Sequence, residues 1–137
     1  MSRSLTIGAM AVMSLLLAVP ALAGGRNSSS ITLVMVSGAS VSADTSSGPS
    51  YGSQVTFAVS TTATDRPYVT LNCYQNGQWL LSGQAGFYAA YPSGQNFTLA
   101  SSSWTGGAGT CTATLGELNA DGTKFRALAS TTFDVSA

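Results

Sequence analysis

Val69-Thr70-Leu71-Asn72-Cys73-Tyr74-Gln75-Asn76-Gly77-Gln78-Trp79-Leu80-Leu81 is the stretch whose reading decides the fold. In an extended chain successive side chains point to opposite faces, so Val69, Leu71 and Cys73 share an inner face while Thr70 and Asn72 look out. Asn76-Gly77 then separates two strand-like runs. Both central residues of a type I′ turn need positive φ, which Asn and Gly tolerate best, so the pair predicts a tight hairpin with Gln78 to Leu81 as its return strand.

The same pattern recurs on both sides of this hairpin. Val55, Phe57 and Val59 share a face within Gln54 to Thr61, and Cys111, Ala113 and Leu115 share one further on. Phe97 and Leu99 mark a short strand, and Lys124 to Val135 is the last, with Phe125, Ala127, Ala129, Phe133 and Val135 expected to point the same way. Asn119, Asp121 and Gly122 turn the chain between the final two strands. Ile31 to Val36 lacks strict alternation, so it is a strand covered on both faces or one that waits for a partner. Gly24 to Ser30 and Ser37 to Ser53, rich in Ser and Gly, read as a tail and a loop. No 3.6-residue period is sustained beyond the N-terminal segment. Many short strands punctuated by turns predict an all-β, two-sheet antiparallel sandwich, with a closed barrel as the runner-up.

The N-terminal segment reads as a targeting device. Arg3 supplies a positive start, Leu5 to Val19 is almost wholly apolar, Pro20 breaks a helix, and Ala21-Leu22-Ala23 has the small-x-small pattern read by signal peptidase. Its length approaches what a membrane anchor needs, but Gly8, Ser14 and Pro20 weaken that alternative. The expected organisation is therefore a signal peptide over 1–23, a flexible tail over 24–30 and one domain over 31–137. Export places Cys73 and Cys111, the chain's 2 cysteines, in an oxidising compartment, and both lie on inward faces, so a disulfide between them is expected. Closing that loop contributes about 4 kcal/mol in the loop-entropy account.

Charged residues make up 7% of the chain, against about a quarter in an average globular protein. Cleavage removes Arg3 and leaves Arg26, Arg66, Lys124 and Arg126 against Asp44, Asp65, Glu117, Asp121 and Asp134. Such a chain has no basic patch for a phosphate backbone, which sets nucleic acid aside as a partner. The hydroxyl-rich, nearly neutral exterior suits either a packed extracellular array or a plain secreted domain.

Tyr51-Gly52-Ser53-Gln54-Val55-Thr56-Phe57, Val69 to Gly77, and Trp104-Thr105-Gly106-Gly107-Ala108-Gly109-Thr110-Cys111-Thr112-Ala113 together resemble small bacterial secreted immunoglobulin-like modules over Ile31 to Ala137. The resemblance implies an immunoglobulin-like sandwich that serves as a spacer, adhesive unit or binding domain. It carries no catalytic residue. One departure stands out: the bridge of antibody-type domains joins the two sheets from the second strand, where this chain has Val55, Phe57 and Val59. In that topology the strands of Cys73 and Cys111 are neighbours, so the bond would link adjacent strands of one sheet.

Little else in the chain points to chemistry. With 0 histidines there is no Ser-His-Asp or Cys-His catalysis and no common zinc site. The five carboxylates fall in loops or strand ends, and Asp121-Gly122 lacks the alternating acids of a calcium loop. No cofactor or metal is expected. The candidate ligand contacts are Trp79, Phe87, Tyr88 and Tyr91, aromatics interrupted by Ser82-Gly83-Gln84 and Gly86 as they would be on mobile loops. The competing placement puts Trp79 and Phe87 in the core with the tyrosines on its rim. These features imply a secreted, non-catalytic binding or adhesion module at or outside the cell surface, with a protein or glycan partner. The alternative is a structural subunit of an extracellular assembly that packs through strand 31–36 or an uncharged face.

Overall fold

In the computed structural model, residues 28–37, 40–42 and 47–137 are described; the expected signal segment over 1–23 lies outside them. The described chain is all-β: β1 (Ser29–Ser37), β2 (Ser40–Ser42), β3 (Gln54–Thr61), β4 (Tyr68–Gln75), β5 (Gln78–Gly86), β6 (Phe97–Thr98), β7 (Gly109–Leu118) and β8 (Phe125–Val135). They form two sheets, one in the order β2-β1-β3-β6 and the other β5-β4-β7-β8. Every strand pairing within them is antiparallel.

Alternation puts the apolar face of each sheet against the other. Leu33, Val55 and Phe57 come from the first sheet, and Val69, Leu71, Cys73, Cys111, Ala113 and Leu115 from the second. Fully burying a large apolar side chain contributes about 1.5–3 kcal/mol. Trp104, in the segment before β7, is completely buried, and its indole Nε1 donates to the Gly107 carbonyl at 3.1 Å. The Tyr51 hydroxyl in turn donates to the Trp104 carbonyl at 2.9 Å, which fastens the segment before β3 to the one before β7.

Cys73 and Cys111 are bonded and stand directly opposite each other in the β4–β7 register, their Cα atoms 4.1 Å apart. The bond therefore links neighbouring strands of one sheet. The hairpin at residues 76–77 has φ of 51° at Asn76 and 77° at Gly77, the positive values that an Asn-Gly turn supplies.

Three boundaries and one register differ from the sequence reading. β1 begins at Ser29, inside the expected tail, because Ser29 Oγ and Thr61 Oγ1 share a hydrogen bond at 2.8 Å and Ser28 N donates to Thr62 Oγ1. Ser40–Ser42 forms a strand inside the expected loop, paired with Met35 to Ser37, and is too short to show a period. β5 runs on to Gly86, through the glycines that read as loop. A Cβ on Gly83 would meet Phe97 at 3.0 Å, and one on Gly86 would meet Tyr91 at 2.4 Å, so these glycines admit aromatic rings instead of ending the strand. In β8, Leu115 faces Ala129 and Gly116 faces Ala127, which leaves Leu128 as a β-bulge. Phe125 and Ala127 therefore lie on the outer side of the sheet, whereas Ala129, Phe133 and Val135 face inward.

The β4–β7 bond closes a sequence separation of 38 residues. The double variant Cys73→Ala/Cys111→Ala is expected to lose about 4 kcal/mol in non-reducing denaturant titration. A midpoint matching the wild type would show that the bond adds no stability.

Candidate functional site

The inward half of β4 and β7 forms the core, so by the period of two their other half faces solvent. Thr70 and Asn72 on β4 stand opposite Thr114 and Thr112 on β7. These pair in turn with Ser130 and Thr132 on β8, and on the other flank Gln84 and Ser82 of β5 complete the two rows. One row across the sheet thus reads Gln84, Thr70, Thr114, Ser130, and the next Ser82, Asn72, Thr112, Thr132. Each of these side chains is a hydroxyl or an amide, and none is charged. Adjacent strands lie about 4.8 Å apart and successive rows about 7 Å apart, which sets the spacing of the array. Thr112 Oγ1 and Thr132 Oγ1 share a hydrogen bond at 3.0 Å, and Thr110 Oγ1 donates to Asp134 Oδ1 at 3.0 Å.

Aromatic rings close the array at both ends. At the hairpin end Tyr74 pairs with Trp79 across β4 and β5, and the two are 44% and 54% exposed. At the opposite end Tyr68, Tyr88 and Tyr91 form a triangle with ring centroids 5.6, 6.2 and 5.5 Å apart. Tyr88 and Tyr91 fold back over Gly86, which stands opposite Tyr68. The hydroxyls of Tyr68 and Tyr88 are 3.0 Å apart, and the Arg66 guanidinium carbon is 6.0 Å from the centre of the Tyr88 ring. The hydrogen bond with Tyr68, aided by desolvation, holds the Tyr88 phenol above its ordinary pKa. An open hollow of about 670 Å³ adjoins this triangle, lined by Tyr88, Tyr91, Ser93 and Gln95 among others. Phe125 closes the same end over Gly116.

The four aromatics singled out in the sequence therefore do not form one cluster. Trp79 stands at one end of the outer face, and Tyr88 and Tyr91 at the other. Phe87 turns toward the core, its ring centroid 6.5 Å from that of Phe57. The sequence reading missed Tyr68, Tyr74 and the array between the two ends. Its signal was present in Thr110-Cys111-Thr112-Ala113-Thr114, where each core residue alternates with a hydroxyl.

The described carboxylates are largely engaged in local structure. Glu117 accepts from Arg126 Nε at 2.7 Å, and Asp134 accepts from Thr110. Asp121 accepts from both the hydroxyl and the amide of Thr123, bonds that lower its pKa while they hold the β7–β8 turn. Among the described residues no group of three or more His, Cys, Asp or Glu side chains is placed to hold a metal ion. Among them, too, no helix is long and apolar enough to cross a membrane. Comparison with protein-family models, curated proteins and solved structures found no match.

A methyl group at position 86 would sit 2.4 Å from Tyr91 Cδ2 and 2.6 Å from Tyr88 Cε1. Gly86→Ala is expected to displace both rings, cost about 1–3 kcal/mol and weaken the near-ultraviolet circular dichroism of the tyrosines. An unchanged spectrum with unchanged stability would mean that the triangle is not packed on Gly86.

Proposed function

We propose that this chain is a secreted, non-catalytic, immunoglobulin-like module that binds or adheres through the outer face of the β5-β4-β7-β8 sheet. The observation that carries this reading is the array itself: two solvent-facing rows of hydroxyls and amides, uncharged, framed by exposed aromatics. In a chain that is 7% charged throughout, both sheets have outer faces poor in charge, this one with the carboxylate Asp134 at its corner; what sets it apart is that the exposed large aromatics Tyr74, Trp79 and Phe125 all stand on this sheet.

The immunoglobulin-like assignment draws support from strand order. In chain order β1, β3 and β6 take the places of A, B and E in such a sandwich, and β5, β4, β7 and β8 those of C′, C, F and G. Export is supported by the composition of residues 1–23 and by the bonded cysteines. The non-catalytic reading rests on the lack of histidine and on carboxylates engaged in turns and strand ends. The assembly alternative that donates strand 31–36 would first have to break its pairing with β3, which runs along the whole segment within the same chain.

Two measurements on residues 24–137 test the proposal. Light scattering over a range of concentrations is expected to give a monomer, and the protein is expected to attach to the envelope of the cells that export it. Thr112→Arg, which plants a charge in the middle of the array, should abolish attachment without altering the circular dichroism. Attachment indifferent to Thr112→Arg would refute binding through this face. Polymers dispersed by the same substitution would make the face a packing surface of an assembly.

A further inference from the structure

The order of groups on this face is the reverse of a protein–protein interface. Such interfaces put apolar and aromatic side chains at the centre and polar ones at the rim. Here the centre is Thr70, Asn72, Thr112 and Thr114, and the aromatics stand at the ends. A protein partner would have to desolvate the hydroxyl rows with no apolar anchor among them. Charge narrows the ligand further. The array holds no cation to meet a phosphate, sulfate or uronate; among the described residues Arg126 is paired with Glu117, Arg66 stands by Tyr88 beyond the rows, and Lys124 lies in the β7–β8 turn beyond them. An uncharged ligand complements an uncharged face.

We propose, on the reading that this face is the binding surface, that its ligand is a neutral polysaccharide, one sugar ring stacking on Trp79 and the chain continuing over the hydroxyl rows. A pyranose ring has the matching chemistry: C–H bonds on its flat faces and hydroxyls around its edge. The C–H face meets the negative face of an aromatic ring, which Trp79 presents beside Tyr74 with about half of its surface in solvent. The edge hydroxyls both donate and accept, as do Thr70, Asn72, Thr112 and Thr114. Threonine's branched Cβ restricts χ1, and Thr112 is held further by its bond to Thr132, so fewer side-chain arrangements are lost when a ligand arrives.

The two tryptophans give the experiment a built-in reporter, since Trp104 is fully buried and Trp79 is the exposed one. Residues 24–137 would be mixed with cellulose, chitin and insoluble β-1,3-glucan, with heparin resin as the anionic comparison. Retention by at least one neutral polymer and not by heparin is expected. Soluble oligosaccharides of that polymer should shield Trp79 from acrylamide quenching. Trp79→Ala should weaken retention about tenfold or more, the size of a hot-spot truncation, with folding unchanged because the side chain sits on the surface. Retention by none of the three polymers, retention by heparin in their place, or retention indifferent to Trp79→Ala would overturn the proposal. Envelope attachment separates this failure from failure of the binding reading. Attachment lost to Thr112→Arg and to protease treatment of the envelope, but surviving digestion of its glycans by cellulase, chitinase and β-1,3-glucanase, would leave the face a binding surface for protein and the glycan proposal wrong. Attachment indifferent to Thr112→Arg would remove both.

Discussion

The register between β4 and β7 is the constraint on which the rest of this structure depends. Because side chains alternate with a period of two, a slip by one residue would exchange the core face of a strand for its solvent face. Val69, Leu71 and Cys73 sit inside only if Thr70 and Asn72 sit outside, and the same holds for Cys111, Ala113 and Leu115 against Thr110, Thr112 and Thr114. The Cys73–Cys111 bond joins the pair at directly opposed positions, so it closes a loop and also pins the register. Core and array are thus two results of one pairing. A bond between the sheets would have held the layers together without setting how the rows of hydroxyls line up.

Threonine serves both roles on these strands. Its branched Cβ favours the extended chain, and its hydroxyl gives the outer face a donor and an acceptor without a charge. Lysine or glutamate would also keep the face wet, but each would hold rotamer entropy that a ligand must remove. The bond between Thr112 and Thr132 restrains the array further, joining β7 to β8 on the outside of the sheet as the backbone ladder does within it. A surface so built is ordered in advance, which lowers the entropic cost of any association through it.

Where backbone pattern and burial act together, the sequence is legible. β3, β4 and β7 alternate cleanly because one face of each is core, and Asn76-Gly77 is legible because few dipeptides accept two positive φ values. The second half of β5 is not, since Gly83 and Gly86 read as loop signals whereas their cause is packing: the rings of Phe97 at Gly83, and of Tyr88 and Tyr91 at Gly86, occupy the space a side chain would take. That misreading also merged the aromatics. Once β5 is one extended strand, the eight residues from Trp79 to Gly86 span about 23 Å, and a cluster in sequence becomes two ends of a face. The bulge at Leu128 likewise leaves no mark in a simple alternation, and it sends Phe125 to the outer side over Gly116.

The separation of the two aromatic ends has its own physical consequence. Large exposed rings on a protein with few charges invite association, since neither electrostatic repulsion nor a polar surround keeps apolar patches apart. Had Tyr74, Trp79, Tyr68, Tyr88 and Tyr91 met in one place, they would have formed the contiguous apolar patch that drives proteins together. Two rows of hydroxyls and amides instead divide the apolar area between opposite ends of the sheet, and at the far end the tyrosines spend part of their surface on one another and on Gly86. At the hairpin end Tyr74 and Trp79 keep about half of their surface in solvent, whereas at the far end Tyr91 also packs against the core. The layout thus keeps the apolar area of the face from joining into one patch.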